Sequence, residues 1–138
     1  IDVIKRFFRE PIKSITIFDP YLIDVDRLFI RLRMLLKQIH HTQKIRLTIH
    51  TKDAELNAKG RRERQNIAIK KLEKWCDEID WQLTGVKRDY LDHDRWIEVI
   101  RHNEQRDKLI IGRGIDFIRG VGTLMVEPTY LIWQRKFA

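Results

Sequence analysis

Residues 44–51, KIRLTIHT, and residues 61–79, RRERQNIAIKKLEKWCDEI, carry two different hydrophobic periods on either side of one polar loop. In the first, Ile45, Leu47 and Ile49 alternate with polar residues, the period of a strand buried on one face. In the second, Ile67, Ala68, Leu72, Trp75, Cys76 and Ile79 recur at helical spacing, which predicts a helix with that stripe inward. Gly60 marks the turn between them. A strand feeding an amphipathic helix is half of a β-α-β unit, and the chain upstream supplies another half. Residues 14–21, SITIFDPY, predict a buried strand stopped by Asp19-Pro20, because the residue before proline is held out of the helical region. Between these strands Val25, Leu28, Phe29, Leu32, Leu35, Leu36 and Ile39 keep the 3.6-residue period, with Asp24 as N-cap.

Downstream, strands are expected at 80–87 and then at 94–101 and 108–112, the last two a hairpin around a polar turn at 102–107. A short helical turn is expected over 116–119 and a final strand over 130–134, with Gly120 and Gly122 loosening the chain between them. The order β-α-β-α-β-β-β predicts an α/β fold, a mixed sheet flanked by helices with its early strands parallel through right-handed crossovers. Residues 1–12 form an N-terminal segment ended at Pro11, with Ile1, Ile4 and Phe8 on one helical side and Lys5, Arg6 and Arg9 elsewhere. It is read as a truncated connecting helix, with a membrane-surface helix as the alternative. The α/β domain then covers 13–138.

At 138 residues the chain suits one domain with one core. A hydrophobic content of 43% beside 35% charged residues is that of a globular protein, not a disordered one. No apolar run approaches the eighteen or so residues of a membrane span. With Ile1 first and no signal peptide, a larger parent chain is expected. Cys76 is the only cysteine, and no Cys/His cluster has zinc-ligand spacing, so a reducing, cytoplasmic compartment and no metal are expected. Cys76 itself lies on the inward helix stripe and is expected to be inert. Lysine and arginine number 28 against 20 acidic residues, a net +8. With a pI near 9.8, nucleic acid, anionic lipid and phosphate esters become plausible partners.

In open α/β sheets ligands bind beyond the carboxyl ends of the parallel strands. Asp19-Pro20-Tyr21 and His50-Thr51 stand at two such ends. Later, His93-Asp94-Arg95 opens a strand and Gly112-Arg113-Gly114 closes one. His93 and Arg95, two apart, share a strand face. The paired glycines let backbone N–H groups approach a ligand closely, and Arg113 between them can fork onto a phosphate. Each residue also has a structural reading. His93 can cap a turn, Arg95 can pair with Asp92 or Asp116, and Asp116 can be an N-cap. His40-His41 suits the end of a helix, and Trp75, Trp81 and Trp96 stand at core-like spacings.

Taken in order, Asp19-Pro20-Tyr21, Leu47-Thr48, His93-Asp94-Arg95 and Ile111-Gly112-Arg113-Gly114-Ile115-Asp116 resemble the C-terminal phospholipase-D-like domain of microtubule-interacting-and-trafficking (MIT) domain proteins. The resemblance covers residues 14–118. It implies a phospholipase-D-like domain that dimerises, contacts phospholipid head groups and needs no metal or cofactor. Phospholipase-D-type enzymes carry His-x-Lys, four residues, Asp, and later Gly-Ser-x-Asn, with the histidine attacking phosphorus. Here Arg95 replaces the lysine, Ile100 falls at the aspartate position, and Gly112-Arg113-Gly114-Ile115-Asp116 replaces the last motif. Anion binding survives such changes more easily than catalysis.

The expectation is a non-catalytic phosphoanion-binding homodimer in the cytoplasm, peripheral at a membrane if its ligand is lipid. His93, Arg95, Gly112, Arg113 and Gly114 would hold the phosphate, with Asp19, Tyr21, His50 and Asp116 in support. The first alternative is a metal-independent phosphodiesterase or nuclease, as in a prokaryotic defence protein, with the His93 nucleophiles of two chains brought together. The second is a scaffold whose site is vestigial.

Overall fold

The computed structural model describes residues 2–20, 32–34, 36–37, 44–53, 60–90, 95–111, 118–119, 125–126 and 131–136. The elements in chain order are α1 (Asp2–Arg9), β1 (Ile12–Phe18), β2 (Arg46–His50), α2 (Arg61–Glu78), β3 (Gln82–Lys87), β4 (Trp96–Arg101), β5 (Arg106–Ile111), β6 (Ile118–Arg119), β7 (Met125–Val126) and β8 (Leu131–Lys136). Residues 32–34 and 36 are also helical, within the region where the sequence predicts its first long helix. The remainder of that predicted helix, with Asp24 and His40-His41, lies outside the described residues.

Six strands form one mixed sheet in the order β3-β2-β1-β4-β5-β8, and β6 pairs with β7 apart from it. β1, β2 and β3 run parallel, whereas β4, β5 and β8 join by antiparallel pairings. This is the mixed α/β architecture expected from the period changes, extended by β8 at the far edge.

Alternation along the strands explains the layers. Ile15 and Ile17, Leu47 and Ile49, Ile97 and Val99, and Leu109 and Ile111 are buried on one face. That face packs against Phe7 and Phe8 of α1, the helical residues Leu32 and Leu36, and Ala68, Ile69, Leu72, Trp75 and Cys76 of α2 in a single core. The apolar side chains Phe7 and Phe8 of the N-terminal segment therefore face the sheet. The opposite face carries Thr16, Thr48, Glu98, Lys108 and Gln134, all at least partly exposed.

α2 ends in a Schellman motif. Trp81 N–H donates to the Cys76 carbonyl at 2.9 Å, Asp80 N–H to that of Asp77 at 3.3 Å, and Asp80 takes φ 60°. The helix stops where the chain turns into β3, and Trp81 is delivered to the core edge-on to Trp75.

Three expectations are corrected. Ile67 is 48% exposed, and the buried stripe of α2 instead begins at Gln65, whose side chain donates to the Lys52 carbonyl at 2.9 Å. The hairpin turn is shorter than 102–107. It spans 102–105, and Asp107 is a buried residue within β5. Ile118 and Arg119 are extended and paired with β7, not helical, because the antiparallel partner satisfies their backbone.

Asp107 anchors a buried ion cluster. It accepts from Arg101 at 2.6 Å, from Arg135 at 3.0 Å and from Gln105 at 3.2 Å. Burial pushes its carboxyl up, but the hydrogen bonds from Arg135, Arg101 and Gln105 outweigh that and hold it down at about 2. Arg101 also donates to the carbonyls of Phe7 at 2.8 Å and Glu10 at 3.0 Å, so a strand side chain satisfies carbonyls at the end of α1.

Candidate functional site

One line of register partners crosses all six strands: Lys87, His50, Phe18, Trp96, Ile110 and Ile132. Here β1, β2 and β3 finish and β4 begins. β1 has a parallel neighbour on one side and an antiparallel one on the other, so strand direction switches at its carboxyl end. Just beyond this line the chain stays stapled. Thr51 N–H donates to the Lys87 carbonyl at 2.8 Å, Asp19 N–H to His50 at 3.0 Å, and Ile111 N–H to Arg95 at 3.0 Å. Lys52 N–H reaches Pro20 and Tyr90 N–H reaches Thr51, both at 3.1 Å. The rim is a hydrogen-bonded ledge.

Its two sides differ. On the open face, the His50 ring stacks on Phe18 at 4.7 Å and 6°, and Phe18 stacks on Trp96 at 4.7 Å and 27°. Tyr90 meets Phe18 and Trp96 edge-on, and Lys108 Nζ lies 4.3 Å from the Trp96 ring centre. His50 Nδ1 is 3.4 Å from the Asp89 carboxylate, which orients the imidazole.

On the helix side, Asp19 and Thr51 are buried, and among the described residues the Thr51 hydroxyl meets no hydrogen-bond partner. The start of α2 lies against this side through Gln65. Arg88 donates to Asn66 Oδ1 of α2 and also to Asp53 at 3.4 Å, and Arg62 lies 3.8 Å from the same carboxylate. Gly60 caps α2 at φ 79° and supplies no side-chain acceptor to its first turn. Among the described residues no three His, Cys, Asp or Glu side chains converge as metal ligands.

Of the residues singled out from sequence, Asp19, His50 and Arg95 are at this rim. Strand alternation that puts Trp96 on the open face directs residue 95 to the helix side, with Asp19 and away from the His50 ring. His93, Tyr21, Gly112, Arg113, Gly114 and Asp116 lie outside the described residues. Ile111, hydrogen-bonded to Arg95, immediately precedes Gly112 in the chain.

The chain is similar to yeast tyrosyl-DNA phosphodiesterase. Three solved structures of that protein, two of them carrying a histidine-to-asparagine substitution, align over 94% of this chain. Identities are 15%, 14% and 13%, with TM-scores of 0.47, 0.44 and 0.44. The chain spans only 26% to 27% of the length of those structures. No family model matches the chain, and no curated protein does.

Sequence reasoning passed over Arg88, Asp89, Asp53 and Asn66. Arg88 and Asp89 directly follow β3, a third parallel strand end. The rule that drew attention to Asp19 and His50 applies to them equally. Asp53 and Asn66 carry no such positional signal.

Proposed function

We propose that this chain is a phosphoanion-binding, dimeric, non-catalytic module of phospholipase-D type. The observation that carries the reading is the 3.0 Å bond from Ile111 N–H to the Arg95 carbonyl. It ties the chain just after His93-Asp94 to the chain just before Gly112-Arg113-Gly114, at the carboxyl ends of the parallel strands. A guanidinium there suits a phosphate, whose oxygens accept paired N–H donors. Arg95 clamps the anion, Arg113 and the glycine N–H groups complete the cradle, and His93 contributes a hydrogen bond. The ligand class is a phosphodiester or phosphomonoester, from anionic lipid or nucleic acid. Ile100 in place of an acidic residue removes an orienter for a nucleophilic histidine, which favours binding over cleavage.

The test compares wild type with Arg95→Glu/Arg113→Glu for retention on anionic vesicles and on oligonucleotides. Loss of retention with the melting temperature nearly unchanged supports the site, and equal retention refutes it. Incubation with DNA, RNA and a small phosphodiester in chelator tests the non-catalytic part. Cleavage that disappears in His93→Ala overturns it.

A further inference from the structure

The rim has a second cationic station, and it is already occupied by a carboxylate. Arg88 and Arg62 both address Asp53, at 3.4 Å and 3.8 Å, the long end of ion-pair contact. Arg88 is pre-oriented, since its other terminal nitrogen is fixed on Asn66 of α2. Asp53 is 40% exposed and Arg62 48%, so the group between the arginines faces solvent and is exchangeable. The first turn of α2 adds Arg61 and Arg64 against Glu63, and its positive end has the same sign.

The spacing selects the ligand. Arg88 follows β3 and Arg95 precedes β4, and the order β3-β2-β1-β4 separates them by three strand intervals. At about 4.8 Å per interval this is roughly 14 Å along one edge. A single phosphate group engages one station only. Adjacent phosphates are too close to span that distance, but phosphates two nucleotides apart on an extended strand engage both, and a cationic groove that tracks a backbone is the usual design for single-stranded nucleic acid.

We infer that Arg88 and Arg62 form a second phosphate subsite, held in the free protein by Asp53 as an internal competitor, and that the ligand is a nucleic-acid strand. This rests on the phosphate site at Arg95 proposed above. On binding, a backbone phosphate displaces the Asp53 carboxylate and takes a two-pronged contact from Arg88, which the carboxylate at 3.4 Å does not receive.

Fluorescence anisotropy with labelled oligothymidylates, from dinucleotide to dodecanucleotide, in chelator and at several salt concentrations, tests it. Affinity should rise steeply once the oligonucleotide spans both stations. Arg62→Gln/Arg88→Gln should lose that length advantage several-fold, and its log–log salt slope should be shallower by about 0.7, the value of one phosphate contact on a single strand. Asp53→Asn should bind the dodecanucleotide a few-fold tighter, a gain that no folding defect mimics. Arg62→Gln alone, at a half-exposed position, should show a smaller loss of the length advantage with an unaltered melting temperature.

If the double variant keeps wild-type affinity and slope while Arg95→Glu lowers both, the second subsite is refuted and the phosphate site stands. If Arg95→Glu also binds like wild type, both fall. Tighter binding to anionic vesicles than to the dodecanucleotide, indifferent to Arg62 and Arg88, overturns the strand as ligand and leaves a lone head group.

Discussion

Asp107→Asn isolates the charge of the buried cluster while keeping its volume. The Asp107 side chain is fully buried and the Arg101 side chain only 4% exposed. Removing the carboxylate charge leaves Arg101, among the described residues, with Glu10 at 3.3 Å as its remaining acidic partner. Breaking a buried pair from one side costs about 3–5 kcal/mol. Glu10 is nearly half exposed and compensates in part, so the lower end, about 3 kcal/mol, applies. At this chain length that is roughly 10 °C of melting temperature.

The pH dependence gives a second reading of the same group. Its carboxyl is held at about 2, below an ordinary aspartate, by hydrogen bonds that outweigh burial. A depressed value stabilises the fold at pH above the unfolded-state value, and that stability is lost as pH falls towards 2. The amount is roughly 2 kcal/mol, lost between about pH 4 and pH 2. Thermal melts of both proteins at pH 7, 4 and 2.5 measure both effects. The variant should melt lower at pH 7, and the gap should narrow in acid. A variant that melts within about 2 °C of wild type at neutral pH, or an equal acid slope in both, refutes the assignment of Asp107 as the anchor.

Cys76 is buried, and burial pushes its thiol up to about 11, with Asp77 and Glu73 adding to the shift. Native protein should therefore resist a thiol reagent at pH 8 and react promptly in denaturant; fast native labelling would contradict the packing of α2. Ile69→Ala should cost about 2–4 kcal/mol in chemical denaturation, and Ile67→Ala within about 0.5 kcal/mol, because only Ile69 is buried. Gly60→Ala should destabilise by about 1 kcal/mol, since Gly60 has φ 79°. Gly85→Ala, with open space around a new Cβ and no positive φ, should be neutral or stabilising by about 0.5 kcal/mol.

Much of the sheet was legible because Ile45, Leu47 and Ile49 answer to one physical constraint, a single buried face. β2 and α2 follow from period alone to within a few residues, and β1 from an apolar run stopped by Asp19-Pro20. Asp107 was not legible. Its charge reads as turn chemistry until Arg101 and Arg135, six and 28 residues away, are brought to it by the hairpin and by β8. Gln65 and Ile67 exchanged roles for a similar reason: a carbonyl at Lys52 satisfies the amide, so a polar side chain takes the inner position and an isoleucine the outer. At the rim, linear motifs identified the Arg95 side. The Arg88–Asp53–Asn66 cluster draws on residues 35 and 22 apart, a spacing that only the crossover of α2 closes.

The ion cluster also fixes how the molecule opens. Glu10 meets Arg135 at 2.5 Å across 125 residues, and Arg101 holds the carbonyl of Phe7 while Phe7 packs edge-on against Trp133. α1 and the edge strand β8 are thus clasped to each other as well as to the sheet, and neither frays alone. In native-state hydrogen exchange their amides should report one shared opening free energy, a single foldon made from both ends of the described chain.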